Sequence, residues 1–465
     1  MRYTRSMARR VMLIGLDCVP PALAFDRYRY LMPNLTALCE RGAFAKLRST
    51  HPPITVPAWT AMISGRDPGE LGLYGFRKRV PNSYALELAS SRDVQVERVW
   101  DVIAKQGLRS SLIAVPPSAP PFAVHGELVS CFLTPSSEEA HTYPAQLAGE
   151  LCARFGPYLP DVEVRAADRS GLEPALIAMT RQHFAIARHL WTTREPDFLM
   201  LVEIGPDRLH HAFYADLDPT HPEHRVDGPY NQVGERYYAL LDRELGSMLA
   251  LADDDTAIIV ASDHGARPLR SAFRINEWLL REGFLRLRHV PEQAAPLRAE
   301  WVDWSRTQAW AEGGYYARVF FNVRGREPEG IVAPGEVPAL SARLCEALAA
   351  VHGANGEPWN NAVDAPETLY RAVRGFAPDL LAVFDDLNVR PVATVGSDGL
   401  HAPRDDRDAD ACNHDVHGIF VCAGAGVSAR GELAECAIQD VGATVLKLLE
   451  VTQPADWLGR DRSGA

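Results

Sequence analysis

The chain has 465 residues, and its 48 Lys and Arg residues against 60 Asp and Glu residues give a formal net charge of -12 at pH 7. This balance disfavours a nucleic-acid polymer or an anionic membrane as the main partner, because both bind positively charged surfaces. The length is typical of about three domains, but it also permits one large α/β domain with insertions.

Eight cysteines are scattered along the chain without a CxxC pair, as expected for reduced thiols in a cytosolic protein. Basic residues precede an apolar run near the N-terminus, but Asp17 ends that run too early for a secretory signal. No later segment is long and apolar enough to span a bilayer. We therefore expect a cytoplasmic protein with no membrane partner; the oligomeric state is not predicted.

Short apolar runs rich in Val, Ile and Leu alternate with amphipathic stretches along the chain. Such runs are typical of strands covered on both faces, as in a parallel sheet. They occupy residues 10–17, 108–115, 197–205, 256–265, 379–385 and 418–424. Between them, residues 171–193 and 229–252 have the i, i+3, i+4 spacing of helices. The pattern predicts a layered α/β/α fold around a central, mostly parallel sheet.

Carboxylates and imidazoles follow several of the predicted strands. Asp17 follows the first run, Asp207 lies just beyond the third, Asp263 and His264 end the fourth, and histidines cluster around position 414. In open α/β sheets, ligands bind where strands end at their carboxyl edge. These side chains are also the donors that borderline divalent cations prefer, zinc above all. The sequence therefore indicates a metal site.

Two of these motifs are more specific than a single aspartate after a strand, which is usually a turn or a helix cap. Asp207 and His211 are four residues apart, which places both on one face of a helix, although surface pairs have the same spacing. His210 points about 100° away on that helix and is better explained by packing. Asp263 and His264 stand at a strand-to-loop break, where they either converge on one ion or cap a turn.

The stretch PPITVPAW places Thr55 two residues before Pro57, which suits the first turn of a helix. A helix N-terminus attracts phosphate groups through its free N–H groups and dipole. The hydroxyl of Thr55 either caps this helix or attacks a ligand bound at its end. A threonine hydroxyl needs activation for attack, and a coordinated divalent cation provides it.

Taken in order, GLD, PPITVPAW, DRLHH, SDHG and NHDVHGIFVCAGAG resemble the alkaline phosphatase superfamily, most closely its type I phosphodiesterase/nucleotide pyrophosphatase branch. The resemblance implies a site for two divalent metal ions, zinc first and manganese or iron as alternatives. Thr55 would be the nucleophile and would form a phospho-threonine intermediate. One metal would be held by Asp17, Thr55, Asp263 and His264, and the other by Asp207, His211 and His414.

The last ligand has competitors in the sequence. In the family pattern a histidine stands four residues before the glycine that opens the last strand, which matches His414 and Gly418. His417 is the nearest alternative, and His401 has a smaller claim because it lies in an acidic, proline-containing loop.

The resemblance implies a phosphodiesterase or nucleotide pyrophosphatase that acts on a small phosphorylated substrate. A phosphomonoesterase, a phosphonate hydrolase or a phosphomutase would use the same site, and a ligand-binding protein without catalysis is a further alternative. Family members carry an asparagine about where Phe76 and Arg77 stand, so Arg77 is a candidate phosphate contact. Arg208 is another candidate, with an ordinary salt bridge as its alternative role.

In the family, a segment inserted between the metal-binding motifs forms a cap over the site. By that resemblance, residues 1–266 and 401–465 would form the catalytic core, and residues 267–400 a cap partly continuous with it. We expect the cap aromatics Trp304, Trp310, Tyr315 and Tyr316 to be mostly buried core. One or two of them would line the substrate cavity.

Overall fold

The computed structural model describes residues 10–136, 138–164, 169–402 and 410–464. Its main feature is a ten-stranded sheet. From one edge to the other, the strands are Gly431–Glu432, Ala43–Arg48, His417–Gly424, Thr256–Ala261, Arg10–Leu16, Phe198–Glu203, Ser110–Ile113, Gly126–Val129 and Thr142–Tyr143, with Cys436–Ala437 also paired to Ala43–Arg48.

The centre of this sheet is parallel. Strand Arg10–Leu16 lies between Phe198–Glu203 and Thr256–Ala261, and Leu13 has Met200 and Ile259 as its partners on the two sides. The fold class, a mixed α/β fold with a mostly parallel central sheet, is thus confirmed.

The direction of one strand differs from the parallel arrangement that its apolar sequence led us to expect. His417–Gly424 is buried as its apolar composition predicts, but it pairs antiparallel with Thr256–Ala261 and with Ala43–Arg48. An apolar run reports burial on both faces and carries no information on strand direction.

Side chains of the central strand alternate between two hydrophobic cores. Met12, Ile14 and Leu16 enter one core, whereas Val11 and Leu13 enter the other, as the period of two in a strand requires. The first core is covered by helices Pro33–Arg41, Leu147–Phe155, Leu172–Arg194, Gly205–Leu217 and Val233–Leu249, and the second by Thr55–Ser64, Pro68–Leu71, Val99–Ala104 and Gln439–Leu448.

Among the described residues, the segment 267–400 contributes no strand to the central sheet. It forms a four-stranded antiparallel sheet in the order Ala309–Glu312, Ala317–Phe321, Leu380–Val383 and Ala362–Asp364. Smaller sheets pair Ser271–Arg274 with Val389–Val392 and His401–Ala402, and Ala295–Pro296 with Thr394–Val395. The apolar run 379–385 is therefore a strand as predicted, but it does not belong to the central sheet.

A third hydrophobic core fills this segment and is covered by helices Ile275–Arg281 and Val337–Ala349. Trp304 and Trp310 are buried in it, as expected, whereas Tyr315 and Tyr316 belong to a separate small cluster. The residue limits of the core and the cap stay a prediction. Helix Pro366–Leu369 completes the described α-helices. A hairpin pairs Arg77–Arg79 with Leu86–Leu88, and Gly265–Pro268 pairs antiparallel with Cys412–Asp415, which is distant in sequence.

None of the described helices has both the length and the apolar character that crossing a membrane would require.

The packing of the second core against the central strand gives the first prediction. A Cβ atom on Gly15 would lie 2.4 Å from the Trp59 ring, so the Gly15→Ala variant must displace that ring. We expect a loss of roughly 1–3 kcal/mol in the free energy of unfolding, measured by urea denaturation.

The matched control is Gly149→Ala. Gly149 lies in helix Leu147–Phe155, and a Cβ there would have no heavy atom within 4 Å. Helix propensity favours alanine there by up to about 1 kcal/mol. Equal stabilities of the two variants would contradict the proposed packing of the central strand.

Candidate metal centre

The carboxyl edge of the parallel strands carries most of the predicted site residues. Asp17 directly follows strand Arg10–Leu16, and Asp263 and His264 follow Thr256–Ala261. Asp207 lies in the first turn of helix Gly205–Leu217, which begins just after Phe198–Glu203. Parallel neighbours end at one edge, so these side chains come together.

Two further side chains reach this edge from other elements. His414 lies on strand Cys412–Asp415, which pairs antiparallel with Gly265–Pro268 and places His414 opposite Ala266. Thr55 is the first residue of helix Thr55–Ser64 and is 1% exposed. The side chain of the preceding residue, Ile54, makes no capping hydrogen bond to this helix.

The first cluster consists of Asp17, Asp263, His264 and Thr55. His264 Nε2 lies 3.2 Å from Asp263 Oδ2 and 3.7 Å from Asp17 Oδ1. The Thr55 hydroxyl oxygen lies 3.3 Å from the same imidazole nitrogen. One ligand atom each from Asp17, Asp263 and His264 falls within 4.8 Å of the others, so a single cation can contact all three.

The second cluster consists of Asp207, His211 and His414. Asp207 Oδ1 lies 3.2 Å from His211 Nε2 and 3.6 Å from His414 Nε2, and the two imidazole nitrogens are 3.4 Å apart. The two clusters adjoin, since the rings of His264 and His414 stack with their centroids 3.8 Å apart. The fold therefore brings all seven predicted residues to one place.

Each carboxylate of the site has one oxygen held by the protein. Trp59 Nε1 donates to Asp17 Oδ2 at 2.7 Å, the Cys18 amide donates to Asp263 Oδ1 at 3.2 Å, and Arg208 donates to Asp207 Oδ2 at 2.7 Å. The other oxygens, Asp17 Oδ1, Asp207 Oδ1 and Asp263 Oδ2, are buried and have no hydrogen-bond partner among the described residues. Such oxygens are costly to bury unless a cation contacts them.

Each imidazole of the site likewise has one nitrogen held by the protein and the other directed into the cluster. His414 Nδ1 lies 3.0 Å from the Pro53 carbonyl, and His211 Nδ1 lies 2.7 Å from Asp410 Oδ1. His264 Nδ1 lies 3.1 Å from the Gly265 carbonyl. In each ring the Nδ1 atom has a hydrogen-bond acceptor, so the Nε2 atom is left to face the cluster, as in metal-binding histidines.

The electrostatics of the site favour added positive charge. Burial, followed by repulsion from Asp207, raises the pKa of Asp17 well above its usual range, and burial with repulsion from Asp17 does the same to the pKa of Asp263. Burial also lowers the pKa of His264, which keeps this imidazole neutral and able to donate a lone pair. A divalent cation would offset the repulsion between the carboxylates.

Three contacts of the site were not predicted from the sequence. Asp410 holds His211 and is itself paired with Arg390. Trp59 lies on the helix that begins at Thr55, and its indole N–H donates to Asp17. Tyr315 places its hydroxyl 3.2 Å from His211 Nε2 and stacks on His414 with 3.6 Å between centroids. Trp59 is the last residue of the PPITVPAW motif, but the motif does not reveal its contact with Asp17. Each of the three residues acts through a ligand-bearing residue that is distant in sequence.

The competing histidines lie elsewhere. His417 is half-buried and pairs with Glu435. His401 lies on strand His401–Ala402 and packs against Phe273 and Trp359. His210 faces the Tyr238 hydroxyl at 3.0 Å, which is the packing role expected for it.

A cavity of about 630 Å³ opens beside the second cluster and includes His211 in its lining. Arg77 and Arg208, the two predicted phosphate contacts, both line it, as do Tyr315 and Tyr316. Arg208 is already engaged, because its guanidinium donates to both oxygens of Asp161 at 2.8 Å as well as to Asp207. Arg77 has no such carboxylate partner among the described residues.

A buried cluster of carboxylates and imidazoles at the carboxyl edge of an α/β sheet is typical of a metal-dependent hydrolase. The chain belongs to the type I phosphodiesterase/nucleotide pyrophosphatase family, whose model matches residues 11–418. No curated protein matches the chain in a sequence search.

Solved structures share the fold at low identity. Murine ectonucleotide pyrophosphatase/phosphodiesterase 5, solved as an inactive variant with AMP, is 13% identical with a TM-score of 0.57, and the match covers 97% of each chain. Phosphonoacetate hydrolase from Sinorhizobium meliloti, solved with phosphonoacetate, is 16% identical with a TM-score of 0.56; the match covers 90% of this chain and 91% of that one. Human ectonucleotide pyrophosphatase/phosphodiesterase 5 is 14% identical, with a TM-score of 0.55 over 98% of this chain and 97% of that one.

The unpartnered carboxylate oxygens predict that metal-stripped protein gains stability when Zn²⁺ or Mn²⁺ is added. At a hundred times the dissociation constant the gain is about 2.7 kcal/mol, visible as a rise in the melting temperature. In the His414→Ala variant we expect metal affinity to fall by about tenfold or more. His417→Ala is the matched control and should keep the full rise; if it loses the rise and His414→Ala keeps it, the assignment of the second cluster is wrong.

Proposed function

We propose that this protein is a two-metal phosphodiesterase or nucleotide pyrophosphatase in which Thr55 is the nucleophile. The observation that carries the proposal is the position of the Thr55 hydroxyl. It lies 3.3 Å from His264 Nε2, at the start of a helix, in a site with three buried carboxylate oxygens for which the described residues provide no hydrogen-bond partner.

The donor set fits two divalent cations. Asp17, Asp263, His264 and Thr55 would hold one, and Asp207, His211 and His414 the other. Carboxylate oxygens and imidazole nitrogens suit zinc, and they also suit manganese or iron. When bound, the cations lower the pKa of a coordinated hydroxyl and neutralise charge on a phosphoryl group.

The protein side chains support a reaction in two displacements. In the first, the Thr55 hydroxyl loses its proton to solvent and its oxygen attacks phosphorus; a new O–P bond forms, and the bond to the leaving oxygen breaks with its electron pair staying on that oxygen. In the second, water attacks the phospho-threonine, the Thr55–phosphorus bond breaks, and Thr55 regains its proton. The N-terminus of helix Thr55–Ser64 favours the phosphoryl group throughout, because its N–H groups and dipole attract negative charge.

Two features of the comparison proteins support this assignment. The murine enzyme with AMP is described as inactive, and its inactivating change replaces a threonine by alanine. Both that protein and the phosphonoacetate hydrolase bind small phosphorylated or phosphonylated ligands.

The cavity favours a diester over a monoester. Its lining includes the Phe76, Phe132 and Tyr315 rings, which provide an apolar surface for a substituent on the phosphorus. A monoester would leave this surface without a partner. We therefore place phosphodiester or pyrophosphate substrates first, and phosphomonoesters and phosphonates as the alternatives that a substrate screen separates.

The Thr55→Ala variant should bind substrate but lose turnover by about a thousandfold or more, because no other hydroxyl replaces the nucleophile. Thr55→Ser should retain part of the activity. The measurement is the hydrolysis rate of bis-p-nitrophenyl phosphate by the metal-loaded protein. Thr60→Ala is the matched control, since Thr60 lies on the same helix and its hydroxyl donates to the Val56 carbonyl, away from the predicted metal ligands. Unchanged turnover in Thr55→Ala would instead favour a non-catalytic binding protein.

Removal of the metals should abolish hydrolysis of both bis-p-nitrophenyl phosphate and p-nitrophenyl phosphate, and added Zn²⁺ or Mn²⁺ should restore it. We expect the diester to be the better substrate, judged by kcat/KM. Elemental analysis before and after chelation provides the control for complete removal. Hydrolysis by fully stripped protein would contradict the two-metal mechanism.

A further inference from the structure

We propose that Arg77 and Arg318 form a subsite for a second anionic group, so that the substrate is a phosphate ester whose other arm ends in a carboxylate or a phosphate. This inference rests on the proposed function, because it assumes that the scissile phosphorus binds at the metal centre. It adds the chemical class of the arm that does not react.

The two arginines and the metal centre share one cavity. Arg77, Arg318 and His211 all line the same space of about 630 Å³. A ligand whose phosphorus lies against the second cluster can therefore extend an arm to the arginines without leaving the cavity.

Arg318 provides the stronger evidence for an anion subsite, because its positive charge is buried. It is 8% exposed, and its guanidinium donates to the Arg77 carbonyl. Glu312 stands opposite it in the strand pairing, yet none of the carboxylates in the described ranges forms an ion pair with Arg318. A buried cation without a counter-ion is costly, and a bound anion would remove that cost.

Arg77 differs from its neighbours on the same hairpin. Lys78 pairs with Glu87 and Asp93, and Arg79 pairs with Glu327. Arg77 is exposed at the cavity and has no carboxylate partner among the residues that the structure describes. Of three successive basic side chains, only the one at the cavity is available to a ligand.

The backbone before the hairpin is adapted to this arrangement. Gly75 has a φ of +153°, and a Cβ there would lie 3.0 Å from the Tyr316 hydroxyl and 3.3 Å from Arg318 Nη1. Glycine thus lets the hairpin approach Arg318 closely, which brings the two guanidinium-bearing residues together.

The other arginines of the cavity do not compete for this role. Arg208 is held by Asp161 and Asp207, and Arg390 is paired with Asp410. Their charges are neutralised within the protein, so the anion has Arg77 and Arg318 as its partners.

Aromatic rings lie between the arginines and the metal centre. Tyr315 stacks on His414, and its ring centroid is 6.5 Å from that of Phe76, the residue next to Arg77. The middle of the substrate arm therefore contacts apolar ring surface, which suits a short alkyl or flat linker. The anionic group of this arm lies at the end that is distant from the phosphorus.

The test uses p-nitrophenyl phosphodiesters that differ only in the second arm: methyl, carboxylate-ended, phosphate-ended and trimethylammonium-ended. For the metal-loaded protein we expect kcat/KM to be at least about tenfold higher for one of the anionic arms than for methyl. The carboxylate and phosphate arms identify which anion is preferred. Equal rates for all arms, or a preference for the cationic arm, would overturn the proposal.

Two variants test whether the preference for an anionic arm depends on these arginines. Arg77→Gln and Arg318→Gln should each reduce, by roughly tenfold, the ratio of kcat/KM for the anionic arm to kcat/KM for the methyl arm. Arg181→Gln is the matched control, because Arg181 is an exposed arginine on helix Leu172–Arg194. If Arg318→Gln lowers kcat/KM equally for every arm, Arg318 supports the hairpin and the anion subsite is refuted.

This design separates the subsite from the function on which it rests. If the proposed function fails, no diester is hydrolysed, including the methyl ester. If only the subsite fails, all diesters are hydrolysed and the arginine variants do not discriminate between arms. Titration of the Thr55→Ala protein with the methyl and carboxylate-ended diesters gives an independent reading by calorimetry, with tighter binding expected for the anionic arm.

Discussion

The site is organised around three carboxylates, each with one buried oxygen that receives no hydrogen bond from the residues that the structure describes. Asp17, Asp207 and Asp263 each have one oxygen fixed by the protein and one directed toward the histidines. Placing them together at a sheet edge is unfavourable unless positive charge is present. Burial and repulsion between carboxylates raise the pKa of Asp17 and Asp263, whereas the pKa of Asp207 is lowered despite its burial because His211 lies beside it. The surrounding fold is best understood as the frame that holds this unfavourable arrangement.

That frame consists of packing and of fixed hydrogen bonds. Gly15 leaves room for the Trp59 ring, which in turn fixes Asp17. Asp410 fixes His211, and Tyr315 covers His414. Because each of these residues acts through a proposed ligand, changing one of them would alter the geometry of the centre without removing a ligand. The stability of the sheet and the geometry of the site are therefore linked.

The lining of the cavity has a charged part, formed by arginines, and an apolar part, formed by aromatic rings. Two of its arginines, Arg208 and Arg390, are neutralised by neighbouring carboxylates, whereas Arg77 and Arg318 have no carboxylate partner within the described part of the chain. Aromatic rings separate this second pair from the metal centre. The family fixes the reaction class of the protein, and this arrangement of side chains is where its choice of substrate would be decided.

The sequence by itself determined the layered fold and the meeting of Asp17, Asp207, Asp263 and His264 at the sheet edge, because apolar runs mark buried strands and parallel strands present their ends together. Thr55 and His414 lie on other elements, and the resemblance of their motifs to the family is what indicated their place in the site. Tertiary structure alone decided the rest. It set the antiparallel direction of His417–Gly424 and the separate sheet that contains Leu380–Val383, since burial patterns do not encode direction or partner. It also placed His414 inside and His417 against Glu435, because pairing with Gly265–Pro268 fixes which of two nearby histidines faces the centre.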